Sequence, residues 1–142
     1  MKRIKHSRVL PFPAEILWTA LTDSAQIEKW LMANDFKPVV GHAFQFRTDP
    51  APGFDGIVNC KVTKVEPPTL LQYSWAGGGI DTIVTYTLEP VEGGTKLTVE
   101  QVGFKLSNIL PRIILGAGWK RILRDKIPAA LAAINDGQKD YR

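Results

Sequence analysis

Apolar and polar positions change period twice along this chain. From Arg3 to Leu10 they alternate loosely, which predicts a first strand ended by Pro11 and Pro13. Ile16, Leu17, Ala20 and Leu21 then recur at helical spacing. Pro13 suits the first turn of that helix, where its missing N–H has no helical partner anyway. Asp23 or Ser24 can cap a second short helix with Ile27, Trp30 and Leu31 on one face.

From Gly41 the period falls to two. Phe44 and Phe46, then Val58, Cys60 and Val62, then Leu71, Tyr73 and Trp75, each hold one phase of a strand. Ile80, Thr82, Val84, Tyr86 and Leu88 do the same, followed by Leu97, Val99 and Gln101. Five strands with one apolar face each predict an antiparallel sheet covered on one side, and the N-terminal strand makes about six. Pro67-Pro68, Gly77-Gly78-Gly79 and Gly93-Gly94 mark the turns. Asp49-Pro50-Ala51-Pro52-Gly53 reads as a longer loop at one rim.

The helical period returns at the end. Trp119, Ile122, Leu123, Ile127, Ala130, Leu131 and Ile134 form a stripe, with Lys120, Arg121, Arg124 and Asp125 largely off it. Pro128 removes the bond to residue 124, so a kink or restart is expected there. The preceding apolar run, Ile109 to Gly118, is broken by Pro111 and Arg112 and is too short to span a bilayer, which takes ~20 residues. Gly116-Ala117-Gly118 is read as a helix entry.

A length of 142 residues predicts one domain over residues 1–142 with a core of its own. The balance of 18 basic and 14 acidic residues, a net charge of +4, is too mild to predict nucleic-acid binding. One cysteine, Cys60, excludes an internal disulfide and a cysteine zinc cage, and fits a reducing compartment. Met1-Lys2-Arg3-Ile4-Lys5-His6 opens like a signal peptide, but prolines follow instead of an apolar core, so a cytoplasmic location is expected.

Catalytic constellations are mostly absent. His6 and His42 lie in no metal-ligand spacing, and Cys60 reads as a small inward core residue with no basic partner. Neither metal nor cofactor is expected, and no residue is assigned as catalytic. The aromatic set is more suggestive, because Phe44, Phe46, Tyr73, Trp75 and Tyr86 sit on the inward phase while Trp30, Phe104 and Trp119 can face them. They either pack as a core or line an incompletely filled gap between sheet and helix. Gln101 continues the inward phase, so it has a protein partner, sees water or meets a ligand.

The order of strand, two short helices, five strands and one long helix resembles the START-like (SRPBCC) helix-grip superfamily. The segments that carry the likeness are Pro13 to Asp23, Trp30-Leu31, Val65 to Pro68, Tyr73 to Trp75, Gly94 to Val99, Gly103-Phe104 and Gly118-Trp119. The nearest branch is the one named after the Hsp90 ATPase activator. The resemblance covers essentially the whole chain and implies an α+β fold in which an antiparallel sheet grips a C-terminal helix. It also implies a cavity for a lipid, sterol or polyketide-like molecule, or a cyclase or hydrolase activity on one. Cys60 stands where relatives often carry glycine, and Gln101 where they often carry histidine, which puts acid–base work there in doubt. The co-chaperone's separate N-terminal domain is not seen in this sequence, so no Hsp90 activation is expected from the chain alone.

These readings favour a binding protein for a small hydrophobic or amphipathic molecule, with enzyme uncertain and leaning no. The expected wall is Trp30, Phe46, Val58, Tyr73, Trp75, Tyr86, Gln101, Phe104, Trp119 and Leu123. No nucleic acid and no membrane insertion are expected. The alternatives are a cyclase or hydrolase using Gln101, Tyr73 or Asp55, and a chaperone-associated or other protein-interaction module presenting Lys120, Arg121 and Arg124.

Overall fold

The period-two stretches form one antiparallel sheet in a computed structural model that describes residues 2–139. Its strands are β1 (Lys2–Leu10), β2 (Ala33–Asn34), β3 (Ala43–Arg47), β4 (Ile57–Glu66), β5 (Leu70–Gly77), β6 (Ile80–Val91) and β7 (Gly94–Phe104). They lie in the order β1-β7-β6-β5-β4-β3-β2. The expected helix-grip architecture is present, with seven strands instead of six. The additional β2 pairs Ala33 with Arg47 and Asn34 with Phe46. Two residues cannot show a period, so the sequence pattern does not mark it.

Alternation decides which face is buried. In β6, Ile80, Thr82, Val84, Tyr86 and Leu88 are buried while Asp81, Ile83 and Thr87 are exposed. On the buried face lie α1 (Ala14–Thr22), α2 (Ser24–Trp30), α3 (Ile109–Arg121), a π turn (Ile122–Lys126) and α4 (Ile127–Lys139). Helix α1 turns Ile16, Leu17, Ala20 and Leu21 inward and packs against α4. Asp23 caps α2, its Oδ1 accepting from Ala25 N at 2.9 Å and Gln26 N at 3.4 Å. The Trp30 indole N–H donates to Ala20 O at 2.8 Å and locks α2 to α1.

The C-terminal helical stretch departs from the pattern in two ways. It starts at Ile109, ten residues ahead of Trp119, so Gly116 and Gly118 lie inside α3. Pro111 is tolerated because it falls in the first turn, where backbone N–H groups have no helical acceptors. The interruption near Pro128 is a π turn that ends at Lys126, just before α4 begins. Pro128 has no N–H to offer the Arg124 carbonyl, and Arg8 Nη1 donates to that carbonyl instead, at 3.4 Å.

One close approach dictates a residue type. Gly94 in the β6–β7 turn has φ +154°, and a Cβ there would sit 1.9 Å from Leu10 O. Among the described residues no helix is long and apolar enough to cross a membrane.

Replacing Asp23 with alanine removes two capping bonds at an exposed helix start. The expected loss is about 1 kcal/mol in urea unfolding, with the denaturant slope unchanged.

Candidate functional site

A cleft of about 410 Å³ opens where one end of the sheet meets the start of α3. Three segments build it. The β3–β4 loop is closed by Thr48 N donating to Gly56 O at 2.9 Å, and by an Ala51–Phe54 bridge with bonds of 2.9 and 2.8 Å. Gly56 has φ +84°, and a Cβ there would lie 2.3 Å from Thr48 O, so this closure requires glycine. The loop lays Phe54 on the β5–β6 turn, 3.3 Å from where a Cβ on Gly78 would be. Opposite, α3 contributes Leu110, Pro111, Ile114 and Leu115, and the floor is Val58, Trp75 and Ile80, with Met32 at the side.

Asn108 places α3 against this turn. Its Oδ1 accepts from Lys105 N at 2.9 Å and its Nδ2 donates to Gly79 O at 3.2 Å. Among the cleft-lining residues Thr48 carries the one side-chain hydroxyl, and none carries a titratable side chain.

Behind the cleft the gap between sheet and helix holds packed rings. Trp119 stands 6.1 Å from Trp75 and 5.9 Å from Tyr86, centroid to centroid, and Tyr86 stands 6.2 Å from Trp30. Phe46 packs 5.4 Å from Trp75 and 5.9 Å from Tyr73. A hydrogen-bond chain crosses this layer. The Trp119 indole N–H donates to Gln101 Oε1 at 2.9 Å, and Gln101 Nε2 donates to Thr82 Oγ1 at 2.8 Å. The Thr82 hydroxyl donates to Trp75 O at 2.9 Å. Of the three fates open to Gln101, protein partners are the one found.

Tyr73 and Tyr86 bond to each other through their hydroxyls. Burial pushes both phenols up, and for Tyr73 the neighbouring Tyr86 adds to it. Burial also pushes the Cys60 thiol up, reinforced by the Asp35 carboxylate. A thiol held neutral is neither a nucleophile nor a metal ligand at ordinary pH.

Two of the residues expected in the wall, Val58 and Trp75, line the cleft. Trp30, Phe46, Tyr73, Tyr86, Gln101, Phe104, Trp119 and Leu123 do not line it; all are buried in the interior behind it. The alternation correctly sends these side chains inward, but inward here means into packed neighbours. Asp55 caps the loop by accepting from Ile57 N at 3.0 Å, away from Gln101 and Tyr73 in the interior. His6 Nε2 donates to Gly116 O at 3.1 Å and His42 Nε2 to Asp35 O at 2.9 Å. Among the described residues no cluster of three or more His, Cys, Asp or Glu could hold a metal. The sequence reading missed Phe54, Gly78, Asn108 and the α3 residues. For the last, the apolar run from Ile109 to Leu115 was the available signal.

A seven-stranded antiparallel sheet packed on two short helices and a long C-terminal helical stretch is the helix-grip class of the START-like superfamily. Within it, residues 11–132 match the family described as activator of Hsp90 ATPase homolog 1-like protein, and the chain belongs to that family. Among solved structures the chain is similar to protein MLL2253 from Mesorhizobium loti, with 35% identity, TM-score 0.86, and 93% and 98% of the two chains covered. The Aha1 dimer from Colwellia psychrerythraea shares the fold at 23% identity and TM-score 0.74, with 87% of this chain and 91% of that one covered. DynU16, a protein in the dynemicin biosynthetic locus, does so at 23% identity and TM-score 0.75, covering 93% of this chain and 48% of its own. No curated protein matches the chain.

Two outcomes follow from the interior. Gln101→Met strands the Trp119 N–H and is expected to cost roughly 1–3 kcal/mol in urea unfolding. In a Trp119→Phe background the same change is expected to cost clearly less, because no donor is left stranded; equal costs in both backgrounds would refute the pairing. The second outcome is alkaline weakening. Unfolded, Cys60 ionises near 9.0 and the tyrosines near 10.0. Because the folded values are raised, the folded chain holds more protons above those pH values. Stability is therefore complete below about pH 9 and falls above it, by up to about 1.4 kcal/mol per pH unit for each group. Urea midpoints measured across the alkaline range check this, and Cys60→Ala should delay the onset to the tyrosine range.

Proposed function

We propose that the protein binds a small apolar or amphipathic molecule in the cleft between the β3–β4 loop, the β5–β6 turn and α3. The observation that carries this is the lining, which combines a volume of about 410 Å³ with no titratable side chain and Thr48 as its hydroxyl. Ligand sites are typically clefts of ~300–1,000 Å³, mostly apolar, with a few polar groups that orient the guest. Val58, Trp75 and Ile80 would contact the apolar body, and the Thr48 hydroxyl at the rim would meet a polar end.

The same lining weighs against a cyclase or hydrolase working in this cleft. General acid–base catalysis needs titratable groups within reach of one substrate atom, and the walls offer none. An aromatic natural product and an acyl chain both fit the chemistry.

The test is a thermal-shift and tryptophan-fluorescence screen against fatty acids and aromatic polyketides, read beside the Leu110→Asn and Ile114→Asn variants. Both positions are exposed, at 66% and 61%, so these variants should fold normally. A true ligand raises Tm with concentration and perturbs emission through Trp75. Each variant should weaken it about five- to tenfold, for roughly 1–1.4 kcal/mol of lost apolar contact. A compound that binds the parent and both variants equally would place the site elsewhere.

A further inference from the structure

Helix α3 carries more apolar surface than the cleft uses. Leu106, in the short turn just before α3, is 74% exposed, and Ile109, Leu110, Ile113 and Ile114 on the helix are 49%, 66%, 57% and 61% exposed; of these only Leu110 and Ile114 also line the cleft. Soluble monomers rarely expose contiguous large aliphatics, and such patches usually mark an interaction surface. The charge around them is one-sided. Between Glu100 and Asp125 the chain carries Lys105, Arg112, Lys120, Arg121 and Arg124 and no acidic residue. A groove between α3 and the edge strand β1 is lined by Lys5, Arg3, Arg112, Ile113 and Lys120. Arg3 is paired with Glu100 and Arg124 with Asp125. Lys5, Lys105, Arg112, Lys120 and Arg121 have no salt bridge among the described residues, and the buried Arg112 Nε has no hydrogen-bond partner there.

We propose that this face of α3, with the turn that precedes it, docks on an anionic lipid bilayer, Leu106 and the four aliphatic side chains of the helix entering the headgroup layer and the flanking cations meeting lipid phosphates. A helix with exposed aliphatics and a flank in which unpaired cations outnumber the acids is built to lie in such an interface, buried by ~5–10 Å. This goes beyond the sequence reading, which expects no membrane insertion, because the exposed face appears only once α3 is placed. Charge decides against a second copy of the chain as the occupant. A two-fold contact across α3 would set these cations against themselves with no acid in the segment to answer them. The acids Asp49 and Asp55 belong to the β3–β4 loop on the other lip of the cleft, so the approach is from the α3 and β1 side.

Vesicle flotation tests it, with phosphatidylcholine alone against phosphatidylcholine containing phosphatidylserine. The protein should float with the anionic vesicles and not with the neutral ones, and added salt should weaken binding. Lys120→Gln should weaken it about fivefold. Ile113→Glu should abolish it while leaving the urea midpoint and the circular dichroism unchanged. Ile113 lines the basic groove and not the cleft, so this variant should still bind a cleft ligand, which separates docking from cleft occupancy. Equal binding to both vesicle types, or binding untouched by Ile113→Glu, overturns the proposal. A dimer in sedimentation velocity that Ile113→Glu makes monomeric assigns the face to a second copy and overturns it too. A monomer that floats with neither vesicle leaves the face to a protein partner, with the same consequence.

Discussion

The hydrogen-bond chain from Trp119 through Gln101 and Thr82 to the Trp75 carbonyl is the constraint on which the helix–sheet packing depends. Apolar contacts alone leave a helix free to slide or rotate against a sheet at small cost, because one aliphatic neighbour substitutes for another. A glutamine that is 0% exposed has no such freedom. Its carbonyl and amide must both be matched, and among these neighbours Trp119 supplies the donor and Thr82 the acceptor. The bond therefore selects one position of α3 over the strands. It also ends at Trp75, whose ring forms part of the cleft floor, so the element that sets the helix also sets the floor.

Aromatic volume decides where open space is left. Phe44, Phe46, Tyr73, Trp75, Tyr86 and Trp119 occupy the inner face in contacts of 5.1–6.1 Å between successive rings. One of the Tyr73 and Tyr86 hydroxyls donates to the other, so each of these two polar atoms has a partner within the layer. At the sheet end the lining changes to turns and loops. Gly77, Gly78 and Gly53 have no side chains to fill the volume, and the prolines of the β3–β4 loop and α3 cannot fold inward as a Phe would. The cleft is thus the place where the supply of large inward residues stops.

This division explains what was legible beforehand. The strands could be read because burial on one face imposes a period of two, and β4 to β7 keep it almost throughout. The caps and turns could be read because Asp23 and the glycine pairs act locally. The start of α3 could not, because residues 109–115, Arg112 apart, are apolar on the solvent face as well as the inner one, so no helical stripe stands out. Pro111 and Arg112 interrupt the apolar run and the two glycines read as a helix entry, yet Pro111 lies in a first turn and the glycines lie inside the helix, facing open space or the Ile4 side chain at 3.8 Å. The site was less legible than the fold for a related reason. Inward phase says that Gln101 and Tyr73 are buried, but whether a buried residue meets a partner or a void depends on residues 13 to 19 positions away. The cleft walls come from segments with no pattern in common.

Helix α3 sits between these two regimes. It is pinned at its start by Asn108 and near its end by Trp119, and between the pins most of its aliphatic residues face solvent. Those side chains are largely as wet in the folded chain as in the unfolded one, so they contribute little to folding. Fully burying a Leu or Ile is worth roughly 1.5–3 kcal/mol, and for Ile109, Leu110, Ile113 and Ile114, with Leu106 just ahead of the helix, about half or more of that remains available to an association. The inner side of the same helix already serves the core through Trp119. A stability requirement therefore accounts for the residues that touch the sheet and leaves Ile113, Ile114 and Leu110 without a role in the isolated fold. Serines there would leave the core unchanged, so the reason for aliphatic residues at these positions has to lie in what the helix meets outside the chain.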